Sequence, residues 1–81
     1  QEFDVLYDFL EKLPDVLASN GKVLIMSFHS GEDRLVKKSF KNYYREGIYS
    51  EISTDVIRPS AEECNRNPRA RSTKIRFAIR A

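Results

Sequence analysis

The sequence predicts an α/β fold in which the elements follow one another as helix, strand, helix, strand, short helix and strand. Apolar residues recur every three or four positions over 2–18 and over 31–45, which is typical of amphipathic helices. A short continuous apolar run at 22–28 and a regular apolar–polar alternation at 73–80 are both typical of strands. Alternation of the two element types favours a layered α/β domain.

The first helix is predicted over residues 2–18. Pro14 has no amide hydrogen to reach the carbonyl of Leu10, so we expect a kink or a second helix start there. Asn20 and Gly21 then supply a left-handed stop. The apolar stripe of this helix consists of Phe3, Leu6, Leu10, Leu13 and Leu17.

The strand at 22–28 is short and apolar at its centre, which favours burial on both faces, as in a parallel sheet. A helix over 31–45 follows. Ser30 and Asp33 resemble a capping box at its start, with Asp in place of the usual Glu, and Gly47 ends it.

The strand at 48–57 is more polar than the first, so we expect it at a sheet edge. Ser60 and Glu63 form a second capping box, which begins a short helix near 61–66. The unit at 22–57 should be a right-handed crossover between parallel strands. The connection to the last strand is too short for another crossover helix, so that strand should be antiparallel.

Composition excludes several classes of protein. With 81 residues the chain has room for one domain, and its single cysteine, Cys64, cannot form an internal disulfide. One cysteine and one histidine cannot build a structural zinc site, and no apolar run approaches the roughly 18 residues of a membrane span. Because Gln1 already lies at the start of a helix and no signal peptide is visible, we expect a chain that has lost its beginning.

The charge is unevenly distributed, although the net charge is only +2. Residues 1–33 hold seven acidic and two basic side chains, whereas residues 34–81 hold twelve basic and five acidic ones. A basic second half is typical of a protein with an anionic partner such as nucleic acid. A solvated basic face is the alternative, and composition does not decide between them.

The best candidate site is the segment that leaves the first strand, because ligands of open α/β sheets bind outside the carboxyl ends of parallel strands. It contains Ser27, His29 and Ser30, followed by Asp33 and Arg34 at a helix start, where free amides favour anions. The alternative is a capped helix with an incidental histidine. A hydrolase is disfavoured, because Ser30, His29 and Asp33 lie within one turn and cannot form a catalytic triad.

A second candidate is a basic cluster near the end of the chain. Arginines on a turn and on an exposed strand face can contact phosphates and stack on bases. Tyr43, Tyr44 and Tyr49 could also stack bases, although core packing is the simpler interpretation for them. The cluster consists of Asn67, Arg69, Arg71, Lys74 and Arg76. The alternative for the cluster is a solubilising edge.

The run GKVLIMSFHSGEDRLVK at 21–37 resembles a signature of the MraW/RsmH family, as do RPSAEE at 58–63 and NPRARS at 67–72. This family comprises S-adenosylmethionine-dependent methyltransferases that modify the exocyclic amine of a cytidine in small-subunit (16S) ribosomal RNA. The resemblance covers essentially all of the chain and identifies it as similar to the C-terminal portion of these enzymes. It departs from the motif at Gly31, where the family usually has Leu.

The resemblance implies a Rossmann-like class I methyltransferase sheet. The strand at 22–28 would be its fifth, 48–57 its sixth and 73–80 its antiparallel seventh, inserted between those two. A central seventh strand conflicts with its basic face, unless long side chains extend to solvent or something polar covers that face. The N-terminal, cofactor-binding half would be absent from this chain.

The resemblance also implies roles for the candidate residues. Ser27, His29 and Ser30 would line the active-site wall, and Asp33 and Arg34 would order that loop. The basic cluster, above all its residues Arg69 and Arg71, would hold or face RNA. The implied partners are S-adenosylmethionine, small-subunit ribosomal RNA and the remainder of the polypeptide, in the cytoplasm, with no metal and no membrane. No residue is assigned as catalytic.

Two other functions remain open. The chain could be a non-catalytic RNA-binding or assembly module derived from the same fold, which would explain its basic half without a cofactor. A scaffold domain with no nucleic-acid role would be favoured if Arg69 and Arg71 were paired internally.

Overall fold

The computed structural model describes residues 3–58, 60–67 and 73–81. Within these ranges the predicted order of helices and strands is confirmed. The elements are helix α1 (Asp4–Val16), strand β1 (Lys22–Ser27), helix α2 (Ser30–Arg45), strand β2 (Tyr49–Ile52), helix α3 (Ala61–Arg66) and strand β3 (Lys74–Arg80). None of the helices so described is long and apolar enough to cross a bilayer.

Helix α1 runs through Pro14 as one element, so the second helix start is wrong, whereas the kink that was the other expectation at Pro14 stays a prediction. The hydrogen bond that Pro14 cannot donate would reach the Leu10 carbonyl, in the last turns of the helix. Its loss therefore affects only the C-terminal end of α1.

The predicted stop at Gly47 is confirmed, because this residue follows the last turn of α2 with a φ of 79°. Asn20 is left-handed as well, with a φ of 68°, but α1 already ends at Val16 and Leu17 is extended, so the helix stop predicted at Asn20 and Gly21 is wrong. Both residue types tolerate this left-handed conformation.

The three strands form one sheet in the order β1-β3-β2, and β3 is antiparallel to both neighbours. The prediction of an antiparallel last strand is therefore confirmed. Since β1 and β2 both run against β3, they run in the same direction, as predicted, but they are not adjacent. The hand of the crossover between them stays a prediction.

The second strand is shorter than the predicted 48–57. Its regular pairing covers only Tyr49–Ile52 and contains a register shift between Tyr49 and Glu51. Beyond it, Ile57 makes an isolated bridge to Ile75. Between these pairings Ser53 still donates its amide to the Phe77 carbonyl at 3.0 Å, whereas residues 54–56 lie outside the strand, so the edge strand is interrupted.

The two faces of β3 are the reverse of what the sequence predicted, because the face that carries the arginines is buried. Arg76 is 7% exposed and Ala78 is fully buried, so the face that carries the arginines points toward the helices. The apolar residues Ile75, Phe77 and Ile79 lie on the other face. The prediction that Arg76 lies on an exposed strand face is therefore wrong, because helix α2 and the end of α1 cover that face with polar groups.

The other side of the sheet is open. Leu24 and Met26 are opposite Phe77 and Ile75 in the register, yet they are 63% and 59% exposed. The prediction that the first strand is buried on both faces is wrong for this chain, since only one face is covered. We call this surface the open sheet face: Leu24, Met26, Ile57, Ile75, Phe77 and Ile79.

The core lies between the helices and the covered face of the sheet. It is formed by the buried residues Leu10, Leu13, Val36, Phe40, Tyr49 and Ala78. Tyr49 is only 1% exposed, and its ring packs edge-on against Phe40 at 5.6 Å and Tyr43 at 5.7 Å between centroids. Burial raises the pKa of Tyr49 to about 12.

We expect Tyr49→Phe to stabilise the protein by about 1 kcal/mol. The Tyr49 hydroxyl is buried and has no hydrogen-bond partner among the described residues. A buried polar group without a partner costs roughly 1–3 kcal/mol, and the substitution removes it without changing the ring. Thermal denaturation of the full-length protein measures the effect, with exposed Tyr44→Phe as the control. A clear loss of stability in Tyr49→Phe alone would show that the hydroxyl has a partner.

Candidate site between the first strand and the second helix

The predicted site begins where β1 passes into α2. Ser27 ends the strand with 5% exposure, whereas Phe28, His29 and Ser30 are exposed. His29 occupies the N-cap position with extended backbone angles, and its carbonyl accepts a bond from the Asp33 amide at 3.1 Å. The site therefore combines one buried hydroxyl with an exposed imidazole and an exposed hydroxyl.

The predicted capping box at Ser30 is wrong. Ser30 is the first helical residue, and no side chain caps the helix at position 29. Instead, the side chain of Glu32 accepts a weak bond from the Phe28 amide at 3.4 Å. The carboxylate of Asp33 is thereby free for a different contact. By contrast, the predicted N-cap at Ser60 is confirmed, because the Glu63 amide donates to the Ser60 hydroxyl at 3.2 Å, which is one of the two bonds of the second capping box.

Asp33 forms a two-point ion pair with Arg76 on the central strand. The Arg76 Nε donates to Oδ1 of Asp33 at 2.7 Å and its Nη2 donates to Oδ2 at 3.0 Å. The two side chains are only 8% and 14% exposed. Paired hydrogen bonds of this kind fix both distance and orientation. The pair therefore ties the first turn of α2 to β3, directly beside the candidate loop.

The electrostatics of the pair follow from this geometry. The hydrogen bonds from Arg76 lower the pKa of Asp33 below its ordinary value, and partial burial opposes that shift. The positive charges of Arg76, Lys74 and Lys37 lower it further. Asp33 is therefore ionised throughout the neutral range and serves as an anchor for Arg76, with no proton to exchange in catalysis near pH 7.

The other arginine of β3 is also held within the chain. The Nε of Arg80 donates to the Pro14 carbonyl at 2.9 Å, and its Nη1 donates to the Ile48 carbonyl at 3.2 Å. These carbonyls lie near the end of α1 and before β2. Arg80 thus satisfies backbone acceptors at element ends. Both arginines on the basic face of the central strand, Arg76 and Arg80, are therefore bound within the chain.

Gly31 lies in the first turn of α2, against a ring at the start of α1. A Cβ at this position would lie 2.9 Å from the ring of Phe3. The ring at the start of α1 thus occupies the space next to the first turn of α2. The two helix starts therefore lie close together at Gly31.

The residues predicted to bind RNA have different outcomes. Asn67 is exposed at the end of α3, and Lys74 is partly buried opposite Ser27 in the strand register. Arg69 and Arg71 lie outside the described residues. RNA contacts by Asn67 and Lys74 stay predictions, whereas Arg76 is committed to Asp33.

The three tyrosines also differ. Tyr49 belongs to the core, and the Tyr43 hydroxyl donates to the carboxylate of Glu11, which raises the pKa of Tyr43 to about 12. Tyr44 is 50% exposed on the outer side of α2. Only Tyr44 of the three therefore presents a ring to solvent that is available for stacking.

The arrangement favours binding and positioning over nucleophilic catalysis. Among the described residues, no hydrogen bond joins His29 to Ser27 or Ser30, which is the contact by which a histidine activates a serine hydroxyl. The described part of the chain also contains no cluster of His, Cys, Asp and Glu that could hold a metal ion. Polar side chains at a strand end, next to a basic helix, fit a polar and anionic ligand.

Comparison with known proteins gives a consistent result. The chain is 78% identical over 80 residues to "Ribosomal RNA small subunit methyltransferase H 1" of Lachnoclostridium phytofermentans. The matched region covers 99% of this chain and 22% of that protein. It is 66% identical over 99% of its length to the corresponding "H 2" protein of Alkaliphilus metalliredigens, of which it covers 23%. A protein of Pseudothermotoga lettingae named "Ribosomal RNA small subunit methyltransferase H" is 42% identical over 98% of the chain, which covers 26% of it.

The chain therefore spans about a quarter of the length of these relatives. The sequence profile of the MraW methylase family matches residues 1–81, which is the whole chain. The chain belongs to the MraW methylase family.

Proposed function

We propose that the chain is the C-terminal part of the catalytic domain of a ribosomal RNA methyltransferase. The complete protein would transfer a methyl group from S-adenosylmethionine to the exocyclic amine of a cytidine in small-subunit RNA. The 78% identity to a relative of that name, over 99% of this chain, carries the proposal. The family match over residues 1–81 agrees with it.

The sheet supports the placement of the chain in a Rossmann-like methyltransferase domain. In that placement β1, β2 and β3 are the fifth, sixth and seventh strands. The order β1-β3-β2, with β3 antiparallel between its neighbours, agrees with such an arrangement. The exposed apolar surface of β1 agrees with it as well, because a sheet of this class carries helices on both faces.

In this proposal the remainder of the polypeptide holds the cofactor, and this chain supplies one wall of the substrate site. S-adenosylmethionine supplies the methyl group. His29 and Ser30 present an exposed imidazole and an exposed hydroxyl that can contact a nucleoside, and Ser27 lies buried beside them at the end of β1. Asp33 and Arg76 hold the start of α2, so the wall keeps its position while the amine is oriented toward the methyl donor. Orientation of this kind contributes much of the rate in group transfer.

Methyl transfer to isolated small-subunit RNA tests the proposal. The full-length protein is incubated with labelled S-adenosylmethionine, and the RNA nucleosides are separated by mass spectrometry. We expect one labelled methylcytidine per RNA molecule. Label in a different nucleoside would overturn the cytidine assignment, and no label in RNA would overturn the proposed activity.

The division of labour has its own test. We expect the 81-residue chain alone to bind S-adenosylmethionine no more tightly than about 1 mM and to transfer no methyl group. Isothermal titration calorimetry of the separate chain measures this. Binding in the micromolar range would contradict the assignment of the cofactor site to the remainder of the polypeptide.

A further inference from the structure

The outer face of α2 carries an uninterrupted basic stripe. At about 100° per residue, its members fall within an arc of about 100°. The stripe lies opposite Val36 and Phe40, which are buried in the core. All of its members are exposed: Arg34, Lys37, Lys38, Lys41 and Arg45.

Two acids lie near the stripe without an ion pair to it. Asp33 is within reach of the charge of Lys37, and Glu51 lines a hollow together with Lys41 and Arg45. None of its five side chains forms an ion pair or side-chain hydrogen bond with another described residue.

The acids of the first turn of α2 point elsewhere, because Glu32 accepts the Phe28 amide and Asp33 is held by Arg76. The positive charge of the stripe is therefore available to an external anion.

The position and length of the stripe relate it to the candidate site. Arg34 lies one turn from His29, and Arg45 lies eleven residues further along the helix, about 16 Å away. At its far end, the ring of Tyr44 lines an open hollow with Lys41 and Arg45. An exposed ring beside cations is the combination on which proteins stack single-stranded bases while they contact the phosphates.

We propose that this stripe is a docking surface for the phosphate backbone of an RNA strand that leads to the site at the end of β1. The inference rests on the proposed RNA substrate and goes beyond it, because it assigns the contact to α2. The RNA contact predicted for Arg76 is thus assigned instead to the side chains of the stripe, which are exposed and form no ion pair with a described residue. Tyr44 stacks a base next to the end of the track.

Salt-dependent RNA binding tests the stripe in the full-length protein. The probe is a labelled single-stranded RNA of 30 nucleotides taken from the small subunit, titrated at several KCl concentrations. Log K falls as log salt rises, and each lost phosphate contact makes this negative slope shallower by about 0.7. We expect Lys37→Gln with Lys41→Gln to make the slope shallower by about 1.4 and to weaken binding about 25-fold at 0.1 M salt.

A charge-matched control separates the stripe from net charge. Lys12→Gln with Arg58→Gln removes two exposed positive charges elsewhere on the chain. We expect this control to keep the wild-type slope, and both double variants to keep the wild-type melting temperature. Equal slopes for the two double variants would overturn the docking surface, whether both become shallower or both stay at the wild-type value.

Tyr44→Ala gives an independent readout. Loss of a stacked base weakens binding about fivefold or more at every salt concentration, without a change in slope. Unchanged affinity would remove Tyr44 from the docking surface.

The proposed function and the docking surface can fail separately. A wild-type protein that methylates RNA but binds it independently of the stripe contradicts only this inference. A protein that binds through the stripe but transfers no methyl group contradicts only the activity.

Discussion

Replacing Arg76 by Met lowers the free energy of unfolding of the full-length protein by about 3 kcal/mol. Arg76 and Asp33 are 8% and 14% exposed, so the substitution leaves a carboxylate with little access to water and no partner. Removal of one member of a buried ion pair costs about 3–5 kcal/mol, and the residual exposure of Asp33 favours the lower end. Chemical denaturation monitored by circular dichroism measures the change.

Arg66→Met is the matched control for this substitution. Arg66 forms an ion pair with Glu62 at 2.6 Å, but the two side chains are 72% and 76% exposed. Exposed pairs one helical turn apart contribute about 0.5 kcal/mol or less. We also expect Asp33→Leu to restore part of the stability lost in Arg76→Met, because no unpaired charge then remains. Equal losses for Arg76→Met and Arg66→Met would contradict the structural role of the buried pair.

The same pair predicts how stability depends on pH. The pKa of Asp33 is lower in the folded state than its ordinary value of 3.8, chiefly because Arg76 donates hydrogen bonds to the carboxylate. The unfolded state therefore binds the proton more tightly. The contribution of Asp33 to stability is fully present above its unfolded pKa and is lost as the pH falls through its folded pKa. Asp33→Asn should weaken this acid dependence below about pH 4.

Lysine at Leu24 and Met26 prevents the full-length protein from reaching its native stability. The two side chains are 63% and 59% exposed in this chain and belong to the open sheet face. In the proposed domain the remainder of the polypeptide covers that face. The paired substitution then loses apolar burial and places charges in an apolar interface, at a combined cost of about 3 kcal/mol or more.

The control exchanges the same two side chains. Leu24→Met with Met26→Leu keeps the apolar character and nearly the same volume, so it should cost less than about 1.5 kcal/mol. Denaturant unfolding and methyl transfer are measured for both double variants. If lysine at these positions left stability and activity unchanged, the open sheet face would be solvent-exposed in the complete protein as well.

Local patterns were sufficient to predict the elements and their order. Helical periodicity, apolar runs and turn residues act within a few positions along the chain, and so the left-handed residues Asn20 and Gly47 and the stop of α2 at Gly47 were predicted correctly. The short connection before the last strand was likewise enough to predict its antiparallel direction. The errors at Pro14 and Ser30 concern helix ends, where a shift of one or two residues costs little energy.

The orientation of β3 could not be predicted from local pattern. Alternation shows that two faces differ, but it does not show which face the helices cover. Arg76 is buried because it meets Asp33, a residue 43 positions away in the sequence. The ordinary preference of arginine for solvent pointed to the wrong face. The conflict between a central strand and its basic face, which followed from the family resemblance, allowed polar cover of that face as one solution, and Asp33 supplies this cover.

The exposure of β1 has a different cause. An apolar run such as Val23–Met26 is typical of a strand covered on both faces, and this chain covers one of them. The sequence pattern therefore describes the proposed complete domain better than it describes the separate chain. For the same reason the candidate site is only partly assembled, with Ser27 buried and His29 exposed.

Hydrogen exchange of the β1 amides in the full-length protein tests the central claim most directly. In this chain β1 pairs only with β3, so alternate amides of Lys22–Ser27 face an unpaired edge. If the chain is part of a larger sheet, all of these amides exchange slowly, at rates close to those of β3. Fast exchange at alternate positions of β1, with β3 protected, would show that the edge is free in the complete protein and would contradict the account.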